Sequence, residues 1–110
     1  MSETSIDLLQ GTVDVLILRT LVWEPMHGYG VSRFIRQRTD GVLTIESAAL
    51  YQALHRLERK KWIRSEWGVS ENNRRAKYYS VTVEGRKQLR AETATLRTYV
   101  DAVFKVLEPA

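Results

Sequence analysis

The chain carries two groups of polar side chains whose types and spacing suit binding to a polyanion. On a helix predicted over residues 47–60, the outward side holds Ala48, Gln52, His55, Arg56 and Arg59, and the same helix carries the polar side chains of Ser47 and Tyr51. Guanidinium groups bind phosphate, and an amide can form two hydrogen bonds with adenine. The second group follows a predicted turn and comprises Asn73, Arg74, Arg75, Lys77 and Tyr78. A solvated helix face and a solvated loop would contain the same residues, so the surrounding elements must decide between these interpretations.

Positive charge is concentrated in the middle of the chain. Lys and Arg total 17 against 13 Asp and Glu, which gives a net charge of +4. Residues 33–90 hold 14 of the basic and 6 of the acidic side chains, so the rest of the chain is acidic. A basic centre and a sequence pI of about 9.6 admit a polyanionic partner, although an ordinary solvated surface can show the same distribution.

Patterns typical of catalysis and metal binding are missing from the sequence. The two histidines, His27 and His55, are not spaced as a zinc pair, and the chain has no cysteine. The segment Gly28-Tyr29-Gly30 lacks the third glycine and the preceding strand of a dinucleotide-binding loop. We therefore predict that the protein is not an enzyme and uses no metal or cofactor.

Length and segment composition favour a single cytoplasmic domain. The 110 residues fit one domain, and the absence of cysteine excludes disulfides. The first ten residues contain acidic side chains where a secretory signal needs basic ones. The longest aliphatic run, Val15–Leu18, is too short to span a bilayer, so no membrane partner is expected.

Hydrophobic periodicity predicts three helices in the first half of the chain. Residues 7–23 form a helix that is apolar on more than one side, and residues 28–39 form a second, shorter helix. Asp40-Gly41 supplies the turn between the second and third helices. The third helix, at 47–60, buries a stripe made of Leu50, Leu54 and Leu57.

An alternating pattern over residues 62–83 predicts a β-hairpin with a basic tip. In its first strand the alternation predicts that Trp67 and Val69 share the core face of Ile63. In the second strand Tyr79, Val81 and Val83 share one face, with Tyr79 expected inside. Trp62 is expected beside the core, because it ends a helix next to Ile63.

The last predicted helix begins at a Thr82 cap and continues to about Leu107. Its apolar seam is too long for so small a domain to cover, which favours a second copy of the chain; packing on the first helix alone is the alternative. The expected dimerisation residues are Leu9, Val13, Leu89, Leu96, Val100, Val103, Phe104 and Leu107.

The order of these elements predicts a mainly α fold with a small β-hairpin, namely a winged helix-turn-helix plus a C-terminal dimerisation helix. The winged part covers residues 1–83, and the dimerisation helix covers 84–110 and packs with the N-terminal helix as one compact unit. Four segments resemble the PadR family of bacterial transcriptional regulators in this order and spacing. They are GTVDVLILRTL at 11–21, HGYGV at 27–31, LYQALHRLERKKWI at 50–63 and RRAKYYSVTVEGRKQL at 74–89.

The resemblance implies a homodimeric repressor that binds inverted repeats in double-stranded DNA and responds to a small aromatic or drug-like effector. It also implies an effector pocket between the first and last helices, for which Trp23, Tyr99 and Phe104 are the candidates. The sequence departs from the family pattern at Ala48-Ala49, at Gln52 in place of proline, and at Lys61 in place of glycine. These departures prevent transfer of an operator sequence.

Within this fold, each polar group acquires an expected role. Gln52 and His55 are assigned to base edges or the groove, Ser47 and Tyr51 to phosphate or the groove, and Arg56 and Arg59 to flanking phosphates. For Tyr51 the alternative is packing between helices with the hydroxyl at the surface. The tip segment 70–77 is expected on the flanking backbone or the minor groove. Two alternatives stay open: a winged-helix module that binds a protein, and an architectural protein that binds nucleic acid without sequence preference.

Overall fold

The computed structural model describes residues 10–109, which form four helices and a small sheet. The elements in chain order are α1 (Gln10–Trp23), β1 (Met26–His27), α2 (Gly28–Arg38), α3 (Ser47–Arg59), β2 (Ile63–Val69), β3 (Arg75–Val81) and α4 (Val83–Leu107). The mainly α fold and the predicted helix ends near 28, 47 and 107 are confirmed. Leu9, expected at a dimer interface, lies outside the described residues. In the described part of the chain, no helix has both the length and the apolarity needed to cross a membrane.

Helix α1 forms the centre of the core. Its apolar residues face in several directions, and Val13, Val15, Ile17, Leu18 and Leu21 are all buried. Helices α2, α3 and α4 and strand β3 all contact α1. The prediction that this helix is covered on more than one side is therefore confirmed, because apolar residues on most of its faces each need a packing partner.

Helices α2 and α3 form the helix-turn-helix on one side of α1. The predicted stripe of Leu50, Leu54 and Leu57 on α3 is fully buried. The intervening turn uses Asp40 at φ 53° and Gly41 at φ 82°, a left-handed conformation that asparagine, aspartate and glycine tolerate best. The Thr39 hydroxyl donates to the Ile35 carbonyl at 2.9 Å and accepts from the Leu43 amide at 3.1 Å, which ties the two sides of the turn together.

The sheet has three strands in the order β1-β3-β2, so the expectation of a two-stranded hairpin was incomplete. The two residues of β1 pair antiparallel with β3, Met26 opposite Tyr79 and His27 opposite Tyr78. A two-residue strand is too short to show alternation, which is why periodicity could not reveal it. Through β1, the turn between α1 and α2 is attached to the hairpin.

The hairpin extends beyond the core, and this corrects the expected burial of its outer residues. Trp67 pairs with Lys77 and Val69 with Arg75, and Trp67 is 57% exposed. Ile63 and Tyr79 on the same face are buried, so the alternation was right but the core ends between Ile63 and Trp67. Val83 was also misplaced: it is the first residue of α4 and is 86% exposed.

A compact junction joins α3, β2 and α4. Lys61 adopts φ 65° in the helix-to-strand turn, where a glycine would be free of strain. The Thr82 hydroxyl caps α4 by accepting from the Gly85 amide at 3.0 Å and lies 2.8 Å from the Lys61 carbonyl oxygen. A Cβ atom on Gly85 would lie 2.0 Å from the Trp62 carbonyl oxygen, so only glycine fits.

The substitution Gly85→Ala should therefore destabilise the fold by about 2–3 kcal/mol, because the backbone of Trp62 must move to admit the methyl group. Chemical denaturation monitored by circular dichroism measures this change. Gly11→Ala is the matched control, since a Cβ atom there meets nothing within 4 Å and alanine favours a helix. Equal stability of the two variants would contradict the packing described for Gly85.

Candidate nucleic-acid interface

The outward face of α3 is a continuous polar surface. Ala48, Tyr51, Gln52, His55, Arg56 and Arg59 line one shallow depression, and Ser47 is exposed at the start of the helix. The structure thus brings together the five residues that the sequence placed on this face, with Tyr51 beside them. Gln52 and His55 lie one turn apart and point away from the leucine stripe, so an amide and an imidazole are presented side by side.

Arg56 differs from its neighbours because its guanidinium is engaged inside the protein. Its Nη2 forms a salt bridge with Oδ1 of Asp14 on α1. The Arg56 side chain is 20% exposed, whereas Gln52, His55 and Arg59 are exposed residues. Hydrophobic periodicity could not indicate this partner, since Asp14 lies 42 positions earlier in the chain.

Tyr51 combines packing with exposure. Its ring lies against the N-terminus of α2, where a Cβ atom on Gly28 would be 2.7 Å from the Tyr51 hydroxyl oxygen. The side chain remains about half exposed on the groove side. Gly28 is therefore the residue that lets Tyr51 lie close to α2 with its hydroxyl near the surface.

A groove of about 600 Å³ separates the hairpin tip from α2 and α3. Its walls carry cationic and aromatic side chains, including Arg33, Tyr51, Trp67, Arg74, Arg75 and Lys77. The Arg75 guanidinium carbon lies 4.3 Å from the centre of the Trp67 ring, a cation–π contact that orients the arginine. Trp67 is thus a groove residue that sequence reasoning missed. The available signal was its position near a basic turn, opposite Lys77.

The remaining tip residues occupy different positions. Asn73 adopts φ 59° in the turn and is exposed. Tyr78 lies on the opposite face of the sheet from Lys77 and Tyr79; its hydroxyl donates to the Val69 carbonyl at 3.2 Å, and its ring packs on His27. Tyr78 is therefore not among the groove residues.

His27 connects the start of α2 with the hairpin tip. Its Nδ1 accepts a hydrogen bond from the Gly30 amide at 3.0 Å, which confirms the expected role at the start of the second helix. Its Nε2 lies 3.5 Å from Oε1 of Glu71. A backbone hydrogen bond and the contact with His27 lower the pKa of the Glu71 carboxyl.

Glu58 fixes the hairpin to α3 from the other side. Its carboxylate accepts a hydrogen bond from the Ser65 hydroxyl at 2.6 Å and lies 3.6 Å from the Lys77 ammonium. Lys77 is consequently partly buried and paired, unlike Arg74 and Arg75 at the tip. These contacts join α3 to both strands of the hairpin.

The apolar face of α4 continues past the body of the chain. Val13 and Leu89 are buried within a single chain, so these two expected dimerisation residues already have packing partners. Leu96 is half-buried, whereas Val100, Val103, Phe104 and Leu107 are exposed. Within residues 10–109, the apolar side chains at this spacing along the outer half of α4 form a stripe without a packing partner.

A cavity of about 270 Å³ lies between α1 and α4. It is lined by Gly11, Thr12, Val15, Glu92, Thr95, Leu96 and Tyr99. Of the three expected effector-pocket residues, only Tyr99 lines it. Trp23 lies exposed at the end of α1 beneath Arg19, and Phe104 lies further along α4.

No group of three or more His, Asp or Glu side chains between residues 10 and 109 is arranged to hold a metal ion. The site described above is instead a basic surface with one polar helix face. Residues 17–91 match the model of the transcriptional regulator PadR-like family. The chain belongs to the PadR-like family of transcriptional regulators. As a PadR-like regulator it is a DNA-binding protein and not an enzyme, so both predictions are confirmed.

Similar proteins cover nearly the whole length of this PadR-like chain. An uncharacterised protein of Lysinibacillus sphaericus is 31% identical over 105 residues, which cover 93% of this chain and 96% of that protein. The solved structure of a transcriptional regulator from Clostridium thermocellum superposes with a TM-score of 0.82 at 32% identity, covering 90% of this chain and 96% of the other. A PadR family transcriptional regulator from Eggerthella lenta gives a TM-score of 0.75 at 34% identity, with coverage of 92% and 86%. The predicted winged helix-turn-helix is confirmed by these neighbours.

Tyr79 provides a pH test of the joint between α3 and the hairpin. Burial raises the pKa of Tyr79 above its ordinary value of 10.0, and the negative charge of Glu58 adds to the rise. The folded state therefore holds this proton more tightly than the unfolded chain does. The resulting stability is complete below pH 10.0 and is lost as the pH rises through the folded pKa.

We expect the free energy of unfolding to fall more steeply above pH 10.0 in the parent protein than in Tyr79→Phe, which has no proton to lose at this position. Urea denaturation at a series of alkaline pH values measures both curves. Parallel curves for the two proteins would contradict the buried environment assigned to Tyr79.

Proposed function

We propose that this PadR-like protein is a cytoplasmic homodimeric repressor that binds an inverted-repeat operator in double-stranded DNA. The observation that carries the proposal is the arrangement of the α3 outward face beside a basic, aromatic groove. A helix of this size fits the major groove, where each base pair presents a distinct pattern of donors and acceptors. The wing, defined as residues 70–77, then lies on the flanking backbone or in the minor groove.

On α3, the exposed Gln52 and His55 read base edges, and Ala48 allows a close approach of the helix. Ser47 and Tyr51 contact phosphate or the groove wall, and Arg59 contacts a flanking phosphate. These roles follow from exposure and side-chain chemistry.

On the wing, Asn73, Arg74 and Arg75 are exposed and supply positive charge and hydrogen-bond donors. Trp67 stacks on Arg75 and keeps its guanidinium directed along the groove wall. Lys77 contributes charge from a paired position beside Glu58, and Tyr78 supports the strand from the opposite face. A guanidinium held in this way loses less conformational entropy when it binds.

Residues 1–83 then form the DNA-binding domain and 84–110 the dimerisation helix. The exposed stripe of Val100, Val103, Phe104 and Leu107 supports a second copy as its partner. A two-fold dimer presents two recognition helices related by symmetry, which is the symmetry of an inverted repeat.

A small aromatic or drug-like effector would bind between α1 and α4. The cavity there is lined by Tyr99 and is smaller in one chain than the usual volume of ligand pockets, roughly 300–1,000 Å³. A second copy packed on α4 would add Phe104 and further apolar surface to its edge. By linkage, an effector that weakens DNA binding must itself be bound less tightly when DNA is present.

The DNA-binding proposal is tested by fluorescence anisotropy with the intergenic duplex upstream of the protein's own gene and a scrambled duplex of equal length. We expect a preference for the upstream duplex that persists at physiological salt. The substitution Gln52→Ala should weaken binding to the upstream duplex by roughly 5- to 150-fold and leave binding to the scrambled duplex nearly unchanged.

Arg75→Ala should weaken binding to both duplexes and reduce the salt dependence by about one phosphate contact. Arg86→Ala is the matched control, since Arg86 is exposed at the start of α4, at the end of the hairpin opposite the wing tip. Equal binding of both duplexes by the parent would support the architectural alternative. Absence of binding to either duplex would favour the protein-binding module.

The dimer is tested by analytical ultracentrifugation of Val103→Glu. Val103 is 37% exposed in the single chain, and a second copy on the stripe would bury the new carboxylate without a partner. We expect self-association to weaken by at least roughly 100-fold. Thr98→Glu, on the far side of α4, should leave the dimer intact. A Val103→Glu protein that remains dimeric would exclude this stripe as the interface.

A further inference from the structure

A buried ion pair connects the central helix with the outward face of α3. Asp14 on α1 is 7% exposed, and its carboxylate is paired with the Arg56 guanidinium. Arg56 lies one turn from Gln52 on the same face of α3. The pair therefore joins a buried residue of the core to a neighbour of the proposed base-reading side chain.

The Arg56 side chain is committed to this position. Its Nε is the one buried side-chain nitrogen or oxygen without a hydrogen-bond partner within residues 10–109. A buried, unpaired donor of this kind persists only where other contacts determine the side chain's path. Here the determining contact is the salt bridge with Asp14.

A phosphate that drew the Arg56 guanidinium outward would break its pair with Asp14. That exchange would leave a buried carboxylate without its cation, which is an unfavourable outcome. The leucine stripe of α3 is held by apolar contacts, which have no strong directional preference. These contacts therefore determine how closely α3 packs on the core better than they determine the rotation of α3 about its axis. A directional charged hydrogen bond near the middle of α3 supplies the missing constraint.

We infer that Asp14 and Arg56 are a positioning pair that sets the orientation of α3 on α1, and that Arg56 is not a phosphate ligand. The effect of this pair on DNA recognition rests on the proposed function, in which α3 is the helix that reads the bases. It assigns a role to Asp14 and changes the role expected for Arg56. Gly11, Thr12 and Val15, which line the α1–α4 cavity, are neighbours of Asp14 in the sequence of α1.

The first test compares Asp14→Asn, Arg56→Met and the double variant in full-length protein, using the upstream and scrambled duplexes. Each single substitution should reduce the preference for the upstream duplex by roughly tenfold, and the double variant should lose no more than either one. The slope of affinity against salt should stay unchanged, because no phosphate contact is removed. Arg59→Met, at a proposed phosphate contact, should lower that slope by about one.

Opposite results would overturn the inference. If Arg56 binds phosphate, Arg56→Met lowers the salt slope by about one, and Asp14→Asn strengthens binding by releasing the arginine. Arg56→Lys separates the two roles while retaining the charge. Lysine can still meet a phosphate, but it lacks the planar fork that pairs with Asp14, so the preference for the upstream duplex should fall in this variant as well. Thermal unfolding by circular dichroism confirms that each variant is folded before binding is compared.

A second readout does not depend on DNA. In Asp14→Asn, backbone amide NMR signals should shift along the outward face of α3 from Ser47 to Arg59, because the helix changes its orientation. Shifts confined to the turn around Arg56 would overturn the inference. A parent protein that shows no preference between the duplexes would refute the proposed function, while these shifts would still decide whether the pair positions α3.

Discussion

The fold depends on the burial of one helix. Every helix and the central strand of the sheet pack against α1, whose apolar side chains point in several directions. Two polar residues interrupt this surface, and each is satisfied: the Thr20 hydroxyl donates to the Leu16 carbonyl, and Asp14 pairs with Arg56. Burial of α1 thus determines where α2, α3 and α4 lie. The buried carboxylate of Asp14 adds a directional contact with α3, the helix that carries the polar face.

Rigid joints place the wing relative to α3. On one side Glu58 holds Ser65 and Lys77, and on the other His27 caps α2 and lies beside Glu71. Strand β1 adds the α1–α2 turn to the sheet. These contacts tie both ends of the helix-turn-helix to the hairpin and hold the α3 face beside the wing. Such preorganisation reduces the entropy lost on binding and suits a protein of the PadR-like family, whose members regulate transcription by binding DNA.

The exposed half of α4 and the basic surface suit two different partners. Apolar residues on α4 need a surface that excludes water, which a second copy would supply, whereas Arg74 and Arg75 need an anionic partner. The apolar residues of α4 and the basic residues of the wing lie on separate parts of the chain, so a second copy packed on α4 would leave the polar face of α3 free. The cavity beside Tyr99 lies between the two regions. A ligand there would contact α1 and α4 together.

The sequence by itself determined the helices, the hairpin and the residues on the outward face of α3. The reason is that hydrophobic periodicity and helix capping depend on residues that are close together in the sequence. The Leu50, Leu54 and Leu57 stripe and the Thr82 cap are examples. Only the tertiary structure decided the partners of residues distant in sequence. Strand β1 is too short to show alternation. Trp67 is exposed because the hairpin extends beyond the core, and Arg56 pairs with Asp14, which lies 42 positions earlier in the chain. Periodicity assigns a side chain to a face, but the end of the core and the position of a buried charge depend on how the elements pack.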